Sequence, residues 1–196
     1  MALSMSLSLV TYAETSPAGR ESISFDDPAG DVYSEESNPN PADIVKLELS
    51  SDGEFVIIAA TLAKAPTPLD EWPQATIAAA GFDTDLDETN GSNYFAGSPR
   101  GMEFSTQFIA SIEPNGKPSR SAACSVIDFS ASGDDAYAVK IDAAPRTPAS
   151  GLTYTGKIAY ESIGVRPGQT IRMSVKEAHD YGEGSGFFPS VLLTLK

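Results

Sequence analysis

Asp83, Asp85, Asp87 and Glu88 fall within one short stretch, "GFDTDLDETNG" at residues 81–91, directly after an alanine-rich apolar run. Like charges this close repel one another in water, so the spacing invites a counter-charge. Alternate aspartates at the end of a strand let carboxylates and intervening backbone carbonyls converge on one hard cation. A loop rich in Asp, Asn and Thr suits calcium, which takes six to eight oxygens in flexible geometry, better than magnesium or a transition metal. It is not an EF-hand loop, because Glu88 stands where the glycine should be and Tyr94 where the twelfth-position glutamate should be. A solvated acidic turn is the alternative reading.

A second acidic cluster, "FDDPAGDVYSEESNPNPADI" at residues 25–44, holds Asp26, Asp27, Asp31 and Asp43 at another strand boundary. The lone Cys124 can form no internal disulfide, and no Cys/His cluster offers a structural zinc site, so a small buried hydrophobe on a strand is expected there. Paired carboxylates can serve glycoside hydrolysis, but that chemistry needs one of them in an apolar pocket. Polar loops favour ionised ligands over a protonated acid. With no nucleophile elbow, phosphate-binding glycine loop or Ser-His-Asp pattern in sight, a non-catalytic protein is expected. Asn90-Gly91-Ser92 forms a glycosylation sequon, meaningful only in a host that glycosylates exported proteins.

The elements that must carry these loops show a period of two. In "DIVKLELS" Val45, Leu47 and Leu49 share a face, in "AYAVKIDA" Tyr137, Val139 and Ile141, and in "TIRMSVK" Ile171, Met173 and Val175. "EFVIIAATLA" and "QATIAAAGF" are apolar throughout, as central strands covered on both sides are. "SISF", "MEFSTQFIASI", "AACSVIDF", "LTYTGKIAY" and "SVLLTLK" add further strands, and "YESIG" alone suits a helical turn. Turn signals such as "SSDG", "KAPTP" and "EPNGKPS" separate them. About ten short strands of this kind predict an all-β fold, a two-sheet antiparallel sandwich of jelly-roll or immunoglobulin-like type.

The chain has 196 residues, enough for one domain, expected over residues 21–196. Residues 1–20 read as a signal-peptide remnant and flexible N-terminus: Ala2 to Val10 are apolar and serine-rich and "TYA" follows, although the basic leader is missing. A secreted, periplasmic or cell-surface location is the expectation. No segment approaches the about 20 apolar residues that cross a bilayer as a helix, so no membrane insertion is expected. The formal charge of −14 repels phosphates and excludes nucleic acid as a partner, leaving neutral ligands and cations.

The order "FDDPAGD", "ADI", "SDGEFVIIAATL", "FDTDLDETNG" and "GMEF", closing on "IGVRPGQTIRMSVKEAHD" and "FFPSVLLTLK", resembles a β-sandwich superfamily. It includes family 9 carbohydrate-binding modules and DOMON-type domains, and the sequence is also similar to the sugar-associated C-terminal domain of glucodextranase-like enzymes. The likeness spans roughly residues 22 to 196. It implies a structural calcium held by Asp83 and Asp85, with Asp31 and Asp43 joining that site or forming another. Glu103 would be a weaker ligand, with a plain edge-strand charge as its simpler role. The resemblance also implies binding of a carbohydrate or another cell-surface polymer. A sugar would need an aromatic platform beside polar groups. Trp72 is the only tryptophan, where family 9 modules use two, and the loop "HDYGEGSGFFPS" offers His179, Tyr181, Glu183, Phe187 and Phe188 instead, with one of the phenylalanines expected in the core. A structural or adhesive module without sugar binding is one alternative. A haem-binding DOMON-type electron-transfer domain, with His179 and Met102 or Met173 as axial ligands, is the other.

Overall fold

The computed structural model describes residues 19–30, 42–65, 74–92, 100–112, 118–129, 138–140, 147–177 and 188–196. Eleven strands lie among them: β1 (Ser22–Asp26), β2 (Ile44–Ser51), β3 (Phe55–Leu62), β4 (Gln74–Asp83), β5 (Phe104–Ile112), β6 (Pro118–Asp128), β7 (Ala138–Lys140), β8 (Thr147–Pro148), β9 (Thr153–Ala159), β10 (Thr170–Glu177) and β11 (Val191–Thr194). They form an antiparallel two-sheet sandwich. One sheet runs β1-β2-β3-β9 and the other β11-β10-β4-β5-β6-β7, with β8 also on β6. The expected all-β class is therefore present. "YESIG" makes the single-turn 3-10 helix Tyr160–Ser162.

The sandwich curls toward a half-barrel. At one margin Arg20 and Leu193 form a bridge, with Arg20 N–H on the Leu192 carbonyl at 3.1 Å and Thr194 N–H on that of Arg20 at 2.9 Å. At the other, β9 lies so close to β6 and β5 that a Cβ on Gly156 would stand 2.5 Å from Cys124 Sγ and 2.8 Å from the Phe108 ring. Only a residue without a side chain permits this approach. Cys124 is a buried strand residue, and burial pushes its thiol up to about 12, so it is not poised for thiolate chemistry.

Alternation builds the core. Val56, Ile58, Ala60 and Leu62 of β3 point inward, opposite Ile171, Met173 and Val175 of β10 and Phe82 and Phe108 of β4 and β5. Two expectations need correction. The continuous apolar run of β3 alternates buried with half-buried positions, so its outer face is not fully covered. In β2 a register shift between Ile44 and Lys46 turns Ile44 inward and leaves Val45 half-buried. By contrast, the second half of β4 is covered on both sides. Ala80, Gly81, Phe82 and Asp83 are all buried, and a Cβ on Gly81 would meet Met102 Sδ at 3.0 Å, which places Met102 over its outer face. Among the described residues no helix is long and apolar enough to cross a membrane.

Candidate metal centre

Strand register assembles the site. Asp83 pairs with Arg172 of β10, and Phe82 pairs with Phe104 of β5. The N–H of Glu103, one residue before β5, bonds the Phe82 carbonyl at 3.0 Å, which holds Glu103 beside Asp83. Arg172 and Glu103 thus flank Asp83 from the β10 and β5 sides. Residues of the acidic loop then fold over it.

The loop is fixed locally by its own polar side chains. Asp83 Oδ1 accepts the Leu86 N–H at 2.6 Å, Asp85 Oδ1 the Asp87 N–H at 2.9 Å, and Asp85 Oδ2 an amide hydrogen of Asn90 at 2.8 Å. Leu86 adopts a left-handed conformation at φ 61°, unusual outside glycine, and is held there by the bond to Asp83. Ser92 and Met102 exchange backbone hydrogen bonds of 2.8 and 3.2 Å that close the loop's base. Gly101, at φ 88°, passes so near Asp87 that a Cβ would lie 2.6 Å from its carbonyl oxygen. These contacts bring the loop onto the strand carrying Glu103.

The result is a cluster of Asp83, Asp85 and Glu103, each offering one carboxylate oxygen, with these atoms all within 4.8 Å of one another. Asp83 is fully buried and Glu103 is 7% exposed, while Asp85 faces solvent. Glu103 Oε2 accepts the Thr84 N–H at 2.7 Å and its hydroxyl at 3.0 Å. Glu103 Oε1 and Asp83 Oδ2 are both buried without a hydrogen-bond donor. Arg172 Nη1 stands 3.2 Å from Asp83 Oδ2 as an ion pair and 2.6 Å from Glu88 Oε1 as a hydrogen-bonded one.

Burial pushes the Asp83 carboxyl above its ordinary range, and the Asp85 charge adds to this; the Leu86 N–H and Arg172 act against it. Burial also raises Glu103, with Asp85 and Asp83 adding repulsion while the two Thr84 donors pull the other way. The one donorless oxygen on each carboxylate carries a desolvation cost, eased at Asp83 by the Arg172 ion pair, and a bound cation would relieve it further. An ion bonded to oxygens at about 2.4 Å on either side spans a gap of roughly 4.8 Å. The arrangement can therefore chelate a cation.

Several expectations change here. Glu103, for which an edge-strand charge was the simpler role, is a buried member of the cluster. Asp87, expected as a ligand, stays outside the cluster. It is exposed, and its Oδ1 accepts the N–H and hydroxyl of Thr89 at 2.9 and 2.6 Å, bonds that hold its carboxyl below the usual range. The expectation of well-solvated loop carboxylates holds for Asp85 and Asp87 and fails for Asp83 and Glu103. Asp43 does not join this site. It lies near Glu177 at the far end of β10, roughly 16 Å from Arg172 at about 3.3 Å per residue, where its buried Oδ2 accepts the Gly30 N–H at 2.8 Å.

Phe188 is not an exposed platform. It is 8% exposed in the core, its ring centroid 5.7 Å from that of Phe25. Met102 and Met173 are fully buried. Asp31, Trp72, His179, Tyr181, Glu183 and Phe187 lie outside the described residues. Beside the acidic loop a cleft of about 460 Å³ is lined by Glu88, Thr89, Asn90, Gly91, Ser92 and Arg100.

Glu103 and Arg172 are the participants that sequence reasoning undervalued or missed. The "GMEF" pattern flagged the first, but no local signal links Arg172 to the loop. Comparison of the chain with protein-family models, with curated proteins and with solved structures finds no match, so the cluster's reading rests on its own geometry.

Proposed function

We propose that this protein is a non-catalytic β-sandwich module whose acidic loop is locked by a calcium ion held by Asp83, Asp85 and Glu103. The observation that carries the reading is that Asp83 and Glu103 each bury an oxygen without a hydrogen-bond donor in a cluster whose three carboxylates converge within 4.8 Å. Calcium is favoured over magnesium because an irregular oxygen set in a loop meets its flexible demands, whereas magnesium requires near-ideal octahedra. The convergence of three carboxylates, with Asp83 sealed from solvent, suits ligation.

An exported location, as the N-terminal residues suggest, is proposed with this reading. Carbohydrate binding is the second reading, favoured by the cleft next to the loop. Its size lies within the usual range for small-molecule sites, and its carboxylate, guanidinium, amide and hydroxyl groups suit sugar hydroxyls.

Calorimetric titration with calcium tests the first reading. One binding event that disappears in Asp83→Asn and Glu103→Gln is the expected result; no heat and no change in thermal stability with the wild type would sink it. Glycan-array binding that depends on Arg100 would support the second.

A further inference from the structure

We infer that Arg172 is the cation's built-in competitor: its guanidinium neutralises Asp83 while no ion is bound and withdraws onto Glu88 when one enters. This deepens the cation reading and rests on it. A single nitrogen, Nη1, serves both carboxylates, but unequally. It lies 2.6 Å from Glu88 Oε1 in a hydrogen bond and 3.2 Å from Asp83 Oδ2, an oxygen with no hydrogen bond of its own. The contact to the buried aspartate is the looser one, and the contact to the exposed glutamate is already made.

Register forces the competition. Arg172 is the cross-strand partner of Asp83, so β10 and β4 cannot pair without bringing this positive charge to the site. A metal ion on Asp83 Oδ2 would meet a like charge a few ångströms away, and the arginine has a partner to retreat to. Glu88 is 63% exposed at its side chain and belongs to the same loop, so the guanidinium can follow it outward without leaving a carboxylate unpaired.

Two chemical consequences follow. A monovalent ion brings no more charge to Asp83 than the guanidinium already supplies, so the site discriminates for divalent and trivalent cations against sodium and potassium. The observed affinity is also the intrinsic affinity of the carboxylates reduced by the displacement of Arg172, in the way an occupied competing state reduces any apparent affinity. The link between β10 and the acidic loop therefore changes when the ion binds.

The test is calcium and terbium titration of the full chain, comparing wild type, Arg172→Gln and Lys157→Gln. Lys157 pairs with Asp52 on the other sheet and controls for the same change in net charge. Arg172→Gln should bind at least tenfold more tightly and Lys157→Gln within twofold of wild type, with 100 mM sodium or potassium failing to displace calcium beyond ionic-strength effects. If wild type binds and Arg172→Gln binds equally or more weakly, Arg172 is no competitor and the cation reading survives. If no variant binds either metal, both readings fall. Should Arg172→Gln not fold, the wild type still decides: the Arg172 side-chain Nε–H resonance should shift in proportion to calcium occupancy, and a resonance unmoved at saturation overturns the inference.

Discussion

At its C-terminal end β10 presents Glu177, whose Oε1 accepts the Ile44 N–H of the opposite sheet at 2.8 Å. At its N-terminal end the same strand presents Arg172 to Asp83. Both ends bury carboxylates, yet they place different demands on their surroundings. Glu177 is 2% exposed and ties the two sheets together through a backbone donor, so its charge is used by the fold itself. Its neighbour Asp43 also takes a backbone N–H and keeps only Oδ1 without a partner among the described residues. At the other end three carboxylates converge, two of their buried oxygens lack donors, and one arginine is shared between Asp83 and Glu88. Carboxylates at both ends accept backbone donors, so the ends differ in how many converge: two acidic groups make a clamp, and three within 4.8 Å can chelate a cation.

The largest effect that separates the ends should come from calcium. At a hundredfold excess over Kd a native-state ligand adds about 2.7 kcal/mol of stability, which for a domain of this size raises Tm by roughly 5–10 °C. A melt in EDTA against one in calcium should show this for wild type and not for Glu103→Gln. An identical rise in Glu103→Gln would remove the buried end from the site.

Next in size is Glu177→Ala, which leaves a buried N–H without its acceptor and should cost about 1–3 kcal/mol. Unlike the loss in the acidic cluster, it should appear equally in EDTA and in calcium. Denaturant midpoints in both buffers would check this, and a calcium-dependent cost would mean the two ends are coupled.

The pH dependence sharpens the same contrast with a smaller effect. Asp83 and Glu103 have raised carboxyl pKa values, so without an ion the native state holds protons more tightly than the unfolded chain. Between the ordinary carboxylate values and the raised ones, stability in EDTA should therefore fall as pH rises. Calcium favours the ionised forms and should reverse that slope, because protons then compete with the ion. Thermal melts across mildly acidic pH, with and without calcium, would reveal the crossing; parallel curves would count against ligation by these two residues. Smallest of all is Asp87→Ala, an exposed turn residue, expected to melt close to wild type and with unchanged calcium affinity in the same titration.

Much of the fold could be read directly. Alternation in "TIRMSVK" placed Ile171, Met173 and Val175 inward, and the structure buries all three. Apolar alternation is a local pattern, and local backbone geometry converts it into faces. The bulge that turns Ile44 inward and half-exposes Val45 was not legible, because it depends on pairing with β3. Within the site, Asp83 and Asp85 were legible from their spacing. Asp87 looked equivalent to them, but the Thr89 donors two residues on claim its carboxylate for the turn.

The sequence by itself determined a β-rich chain, its inward faces, and an acidic loop at the end of a strand, since each follows from neighbours a few residues apart. Only the tertiary structure decided which charges meet. Glu103 is brought beside Asp83 by its N–H on the Phe82 carbonyl, and Arg172 by the β4–β10 register. Burial of Asp83 and Glu103, and the shortage of donors that would let them chelate a cation, arise only when the loop closes over strands from distant parts of the chain.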